Sequence, residues 1–192
     1  MTAVDAGRPL VVALLGTDHH PFDRLVDWMD TLAGSLEGRA HVVVQHGHSA
    51  EPRVAEGHAF VDHDDLERLV RTADVVVCHG GPGTIMDARR AGHVPVCVPR
   101  DPSLGEHVDG HQQRFAEVAG DAGMVQLATE RDGVDAAVLD ALAGTGPRVE
   151  QEADDAAGQA AARFAHHVDE LVGHRQRRVR SVRRALLSRV QR

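Results

Sequence analysis

A glycine-rich turn that follows an apolar run is the first feature of the sequence with clear chemical potential. The run at residues 74–78 is followed by His79, Gly80, Gly81, Pro82, Gly83 and Thr84. Glycines allow backbone N–H groups to approach an anion, and a helix beginning there would add a dipole that favours phosphate. The spacing matches neither the dinucleotide fingerprint nor the P-loop. Two interpretations stay open: phosphate binding, or a tight strand-to-helix turn that needs glycine for its geometry alone.

Polar residues lie close to this turn and after a later apolar run. Asp87 is expected in the first turn of the following helix, where its carboxylate can accept hydrogen bonds from ribose hydroxyls or simply balance the helix dipole. The segment 100–113 is rich in charged and polar side chains, among them Arg100, Asp101, Glu106, His107, Asp109, His111, Gln112 and Gln113. This density suits a polyhydroxylated ligand, although a solvated loop leading into a helix is the alternative.

Histidines raise the question of a metal or a general base. His19 and His20 are adjacent, and His107 and His111 have the i, i+4 spacing of one helix face. The sequence has no HExxH motif and no cysteine cluster, so we predict no catalytic metal and no cofactor; a histidine metal site, which would bind stoichiometric zinc, is the alternative. A neutral imidazole suits general-base catalysis, which makes His19 the candidate catalytic residue. The alternative is that His19 only closes a turn.

The elements that position these residues follow from hydrophobic patterning. Continuous apolar runs, typical of strands buried on both faces, occur at residues 9–15, 40–45, 74–78, 94–98 and 124–128, with a shorter β segment at 58–61. Helical spacing occurs between them, at residues 22–36, 64–72, 84–91 and 111–122. This alternation predicts an α/β fold with a parallel sheet flanked by helices. Ligands of such sheets bind at the carboxyl ends of the strands, where the loops described above would meet.

The sequence changes character near Gly146. Residues 1–145 are predicted to form the α/β domain, and residues 146–192 a helical extension. Its last part, 173–192, holds eight arginines and no acid, with apolar residues on one side of a helix. That basic amphipathic tail predicts binding to anionic lipid or to a partner, or else a solvated terminus. Residues 1–172 carry a net charge near −16, which argues against a nucleic-acid partner.

Composition also bears on location. No apolar run approaches the ~20 residues that cross a bilayer, and residues 1–9 lack the features of a secretory signal. Cys78 and Cys97 lie in apolar runs, so we predict free buried thiols in a reducing compartment. These observations predict a cytoplasmic location.

The segment 75–116, VVVCHGGPGTIMDARRAGHVPVCVPRDPSLGEHVDGHQQRFA, together with LLGTDHHPFDRLVDWMD at 14–30, resembles the C-terminal, donor-binding half of family 28 glycosyltransferases. Within that family the chain is most similar to the stand-alone catalytic subunits of two-component transferases, which include the dolichol-pathway N-acetylglucosaminyltransferase subunit and bacterial exopolysaccharide subunits. The resemblance covers roughly residues 9–128. It implies a Rossmann-like fold equivalent to the C-terminal half of a GT-B glycosyltransferase.

The resemblance assigns donor-binding roles to individual residues. It implies that Gly16 and Thr17 face the diphosphate with the 79–84 turn, that the Val61 backbone reads uracil, and that Asp87 binds the ribose. It places the sugar hydroxyls at His111 and Gln112, with Arg100, Glu106 and Asp109 in the same loop. The chain departs from the family at Phe115, where the one-chain enzymes have asparagine, and after Gln45, where an arginine would be expected.

The function implied is inverting, metal-free transfer of a hexosyl or N-acetylhexosaminyl group from a UDP-sugar to a polyprenyl-diphosphate-linked acceptor. It also implies a membrane-anchored partner subunit that binds the acceptor, at the cytoplasmic face of the membrane. The alternative is a non-enzymatic module that binds nucleotide sugars to regulate or scaffold polysaccharide synthesis.

Overall fold

A parallel β-sheet forms the centre of the computed structural model, which describes residues 7–149. Along the chain these residues form β1 (Leu10–Leu14), α1 (Asp23–Ser35), β2 (His41–Gln45), β3 (Glu56–His58), α2 (His63–Thr72), β4 (Val75–Cys78), α3 (Pro82–Arg90), β5 (Val96–Cys97), α4 (His111–Asp121), β6 (Gln126–Leu127) and α5 (Arg131–Leu142). A 3-10 turn, Pro102–Leu104, lies between β5 and α4.

The strand order is β3-β2-β1-β4-β5-β6, and each neighbouring pair is parallel. The chain builds outward from β1 in one direction through β2 and β3, then returns to build through β4 to β6. The connections from β1 and β4 therefore diverge and leave a crevice at the carboxyl ends of these two strands. The predicted Rossmann-like α/β fold is confirmed.

Both faces of the sheet are buried, which explains the continuous apolar runs. Val11 and Ala13 of β1 pack in a core with α1 and α5, whereas Leu10, Val12 and Leu14 pack in a second core with α2 and α3. Because alternate residues of a strand point to opposite faces, β1 must be apolar at every position. Cys78 and Cys97 are buried and free, as predicted, and are register partners across β4 and β5.

The structure differs from the sequence prediction at one short strand and at the helix α5. The short strand is Glu56–His58 rather than 58–61; beyond it the chain turns towards Asp62, whose side chain accepts the Asp65 N–H at 2.9 Å and caps α2. The helix α5 was not predicted, because its alanine-rich segment buries only Val134 and Val138 fully and so has weak periodicity.

The described residues all belong to one compact unit. The predicted tail at 173–192 lies outside the described residues. Within residues 7–149 we find no helix with the length and apolar character needed to cross a membrane.

Candidate functional site

The candidate site lies at the crevice where β1 and β4 end side by side. Leu14 and Cys78 are register partners, so the loops that follow them start next to each other. Gly16 and Gly80 have φ values of 82° and 87°, a region that side-chain-bearing residues rarely adopt. Glycine is therefore needed at both turns that form the crevice. Thr17, next to Gly16, is exposed there.

The His79 ring occupies the space between the two turns. A Cβ on Gly16 would lie 2.8 Å from its Cε1, and one on Gly81 would lie 2.5 Å from its Nε2. Nδ1 donates to the Leu14 carbonyl at 3.2 Å, which leaves Nε2 without a proton in the neutral ring. Burial lowers the pKa of His79 to about 4. The imidazole is thus neutral near pH 7 and presents a basic nitrogen between two glycines.

The helix α3 begins directly beyond this ring with unpaired backbone N–H groups. Gly81 is its N-cap, Pro82 occupies its first turn, and no side chain among the described residues caps it. The Ile85 N–H bonds back to the Gly81 carbonyl at 3.1 Å, whereas the Gly83 and Thr84 N–H groups precede the first intrahelical bond. A Cβ on Gly83 would meet open space. These amides and the helix dipole suit an anion.

A cavity of about 210 Å³ adjoins the start of α3. It lies between α2 and α3, and ten residues line it: Leu14, His63, Leu66, Glu67, Val70, Arg71, Thr84, Asp87, Arg90 and Ala91. Thr84 belongs both to this wall and to the N-terminus of α3. Val61, just before α2, packs against the neighbouring core. The anion site and the cavity are therefore continuous.

Asp87 lines this cavity, but not from the first helical turn as the sequence predicted. The helix begins at Pro82 rather than Thr84, since proline is favoured at a first helical position. Asp87 is thus its sixth residue, and its carboxylate accepts from Arg90 Nη1 at 2.8 Å. Because Asp87 lies beyond the first turn of α3, helix-dipole stabilisation does not account for a carboxylate at this position. Its location on the cavity wall is the observation that bears on ligand binding.

Arg100 was predicted to bind the donor, and the structure places it underneath the site instead. Only 1% of Arg100 is exposed. Its guanidinium donates to the carbonyls of His20 at 2.6 Å, Leu15 at 2.8 Å and Glu106 at 3.0 Å. It also lies 4.9 Å from the centre of the Phe22 ring. Its donors therefore tie the loop after β1 to the loop after β5, which makes Arg100 a positioning residue.

Glu106 is a second correction of the same kind. Its buried carboxylate accepts two bonds from Arg24, at 2.9 Å from Nε and 2.8 Å from Nη2. It also accepts the Asp101 N–H at 2.7 Å. A bidentate pair of this geometry has little acceptor capacity left for a sugar. No sequence pattern indicated its partner, Arg24, which lies on α1.

The imidazole oriented by a carboxylate is that of His20, not His19. His20 Nδ1 lies 2.6 Å from Asp18 Oδ1, and its side chain is 21% exposed. The His19 side chain is 76% exposed, with Nδ1 3.8 Å from the same oxygen. Although burial raises the pKa of Asp18, hydrogen bonds from the His20 backbone and ring bring it down to about 2. The predicted catalytic role therefore has better geometric support at His20.

The first turn of α4 presents the residues predicted to meet the sugar. Asp109 Oδ1 accepts the His111 N–H at 3.0 Å and contacts His111 Nδ1. Both side chains are exposed. Gln112 Oε1 is buried and has no hydrogen-bond partner among residues 7–149. An unsatisfied buried acceptor is uncommon, and a ligand hydroxyl would satisfy it only if the Gln112 side chain rotates to expose this oxygen.

Gln45, noted in the sequence only as a departure, connects three loops. Its Oε1 accepts the Gly16 N–H at 3.1 Å, and its Nε2 donates to the carbonyls of Gly16 and Ala59, both at 3.0 Å. The Gly47 N–H also bonds to the Ala59 carbonyl at 2.9 Å. Gln45 thereby holds the diverging loops after β1 and β3 at a set separation.

Comparison with known proteins agrees with this geometry. Residues 15–170 match the model of the glycosyltransferase family 28 C-terminal domain. Relatives include the UDP-N-acetylglucosamine–N-acetylmuramyl-(pentapeptide) pyrophosphoryl-undecaprenol N-acetylglucosamine transferases of two species. The Shewanella baltica protein is 32% identical over 52% of the chain and 25% of its own length. The Shewanella oneidensis protein is 32% identical over 62% and 29%. The chain thus spans less than a third of these relatives.

Solved structures share the fold with parts of longer chains. The glycosyltransferase of kitacinnamycin has a TM-score of 0.54 and 23% identity, over 73% of this chain and 39% of its own. The calicheamicin glycosyltransferase has a TM-score of 0.52 and 18% identity, over 88% and 44%. At these identities the likeness concerns the fold alone.

Proposed function

The chain belongs to the glycosyltransferase family 28 C-terminal domain family, and on that premise we propose that it is the donor-binding catalytic component of an inverting, UDP-sugar-dependent glycosyltransferase. The observation that carries the proposal is the continuity of two features: the open N-terminus of α3 beside His79, and the cavity between α2 and α3. An anion and a ring-sized group joined to it would fit these two places together.

The diphosphate is proposed to bind at the N–H groups of Gly83 and Thr84, with Gly16 and Thr17 on the opposite side. Fixed backbone dipoles of this kind stabilise the negative charge that develops on a leaving diphosphate. His79 Nε2 lies between Gly16 and Gly81, where an approaching phosphate would raise the pKa of the ring. The imidazole would then take up a proton and donate to the leaving group.

The nucleoside is proposed to occupy the α2–α3 cavity. Asp87 would accept hydrogen bonds from the ribose hydroxyls, and the Val61 backbone would meet the uracil edge. The sugar would extend towards α4, where His111, Asp109 and the unsatisfied Gln112 Oε1 offer hydrogen-bonding groups. His20 is the better candidate than His19 for a base, because the Asp18 carboxylate fixes its ring.

Acceptor binding is proposed to need a second protein. Three apolar side chains on loops at the carboxyl edge are more than half exposed: Phe60, Leu104 and Val108. This apolar rim would contact a membrane-anchored subunit that presents a polyprenyl-diphosphate-linked sugar at the cytoplasmic face. The relatives' names specify a pyrophosphoryl-undecaprenol acceptor.

Removal of residues 173–192 should lower membrane or partner association and leave UDP affinity unchanged.

The donor site is tested by calorimetric titration of UDP into Asp87→Ala. Loss of a matched polar partner should weaken binding by about 1–3 kcal/mol, or roughly 5- to 150-fold. The matched control is Asp140→Ala, which removes an exposed carboxylate from α5 and should bind UDP as the unaltered chain does. Equal affinities for both variants would remove the ribose assignment.

Transfer separates this proposal from the alternative of a non-enzymatic binding module. The chain is combined with a candidate membrane-anchored partner, a UDP-sugar and a polyprenyl-diphosphate-linked acceptor, and released UDP is measured. An enzyme releases UDP only when partner and acceptor are both present. Tight UDP binding without release across several sugars would support the module instead.

A further inference from the structure

We propose that the loops after β1 and β5 form a binding site for a divalent transition-metal ion, with Asp18, His20 and His107 as its ligands. Two groups of potential ligands lie on these loops, Asp18-His19-His20 and His107-Asp109-His111, and within each group the ligand atoms are at most 4.8 Å apart. Imidazole and carboxylate are the ligands that zinc and similar ions prefer when thiolates are absent.

The contact that joins the two groups is between Asp18 and His107. Asp18 Oδ2 lies 3.8 Å from His107 Nε2, and Asp18 Oδ1 lies 2.6 Å from His20 Nδ1. With metal–ligand bonds of about 2.0–2.2 Å, the ligand atoms of a tetrahedral centre are roughly 3.3 Å apart. The first pair must close by about half an ångström and the second must open by slightly more. The two distances involve different oxygens of Asp18, so the carboxylate must also rotate to place one oxygen on the ion.

Ring spacing decides which histidines can share one ion. Two imidazoles on a tetrahedral ion have ring centres roughly 5 Å apart. The His20 and His107 centres are 5.8 Å apart, close to this value, whereas those of His19 and His20 are only 4.0 Å apart. His19 is also exposed to solvent. We therefore exclude His19 from the ligand set, which leaves one coordination position for water.

Groups behind the ligands would orient them. The Asp109 N–H donates to His107 Nδ1 at 3.4 Å, so coordination through Nε2 requires the ring to change tautomer; Asp109 Oδ1, 4.0 Å away, would then accept the Nδ1 proton. Arg100 Nη1 donates to the His20 carbonyl at 2.6 Å and fixes the backbone of that ligand. A carboxylate behind a coordinating imidazole is the usual supporting arrangement in metal sites. The nearby Arg100 charge opposes a cation and should keep the affinity moderate.

This inference does not rest on the proposed function, because it needs neither a sugar nucleotide nor transfer. It is an alternative to the base role of His20, since a bound ion would replace the Asp18–His20 contact that orients the ring. The test uses the full chain without an affinity tag and stripped of metal, titrated calorimetrically with Zn²⁺ alone. We expect one equivalent to bind. His107→Gln and His20→Ala should each weaken that affinity at least tenfold, and the matched control His19→Ala should change it less than threefold.

Imidazole ¹⁵N spectra of the unaltered chain provide a measurement that does not depend on the folding of variants. The His20 and His107 resonances should shift on addition of one equivalent of Zn²⁺, before those of the other histidines. Three results would overturn the proposal: no stoichiometric binding, a loss in His19→Ala as large as in His107→Gln, or unshifted His20 and His107 resonances.

Discussion

Arg100 could bind the donor directly or hold the loops of the site in position, and replacing it with methionine distinguishes these two roles. Methionine fills much of the same buried space but has no hydrogen-bond donor. In Arg100→Met, the carbonyls of Leu15, His20 and Glu106 lose their guanidinium partners. The loops after β1 and β5 then lack the link that holds them together under the crevice.

The magnitude follows from those three contacts. An unsatisfied buried acceptor costs about 1–3 kcal/mol, and water can reach some of these loop carbonyls once the guanidinium is gone. The variant also avoids the cost of burying a cation, whose Nε has no hydrogen-bond partner within the described range, 7–149. We therefore expect a net loss of about 2–4 kcal/mol in the free energy of unfolding.

Urea denaturation followed by circular dichroism measures this loss, and UDP calorimetry at low temperature measures the effect on binding. UDP affinity should fall less than roughly tenfold, because the guanidinium supports the loops without contacting the ligand. The control Arg68→Met removes an exposed arginine paired with Asp65 on α2 and should alter stability by no more than about 0.5 kcal/mol. Unchanged stability together with a hundredfold or greater loss of UDP affinity, by the same conversion, would refute the positioning role.

Three further predictions concern residues around the site. Asp30 on α1 accepts the N–H groups of Arg53, Val54 and Ala55 at 2.7–3.0 Å, so Asp30→Ala should lose about 2–4 kcal/mol of stability in urea denaturation. Burial raises the pKa of Asp30, but these hydrogen bonds lower the pKa overall. The stabilisation by Asp30 should therefore be present above pH ~4 and lost as the pH falls further. Gly81→Ala places a Cβ 2.5 Å from His79 Nε2, so it should displace the ring and weaken UDP binding. Gly83→Ala has open space around its Cβ and should preserve the His79 environment in NMR spectra. Equal changes in the His79 NMR signals of the two variants would contradict the crowding at Gly81. Because the pKa of His79 is depressed to about 4 from about 6.5, the unfolded chain binds more protons than the folded chain between these pH values. The free energy of unfolding should therefore be highest above pH ~6.5 and fall by up to about 3 kcal/mol towards pH 4. His79→Gln should remove this loss, and NMR titration of the His79 ring measures its pKa.

The strands and the position of the loops that follow them were predictable because their determinants are local or periodic. A strand buried on both faces must be apolar throughout, as β1 is, and the carboxyl ends of parallel strands share one edge. The glycine turn could be read because a positive φ at Gly80 requires that residue type. The fold and the location of the loops therefore followed from the sequence.

The tasks of side chains within those loops depended on contacts between distant segments. The sequence predicted Arg100 and Glu106 as ligand-binding groups. In the structure Glu106 is paired with Arg24 of α1, and Arg100 donates to a carbonyl of the loop after β1. His19 and His20 are equivalent by position, and only Asp18 and His107 distinguish them. A charged side chain binds whichever partner the assembled fold leaves within reach. Residue type and spacing thus determined which loops are rich in polar side chains. Tertiary packing decided which of those side chains have their hydrogen bonds satisfied within the protein and which remain free to bind a ligand.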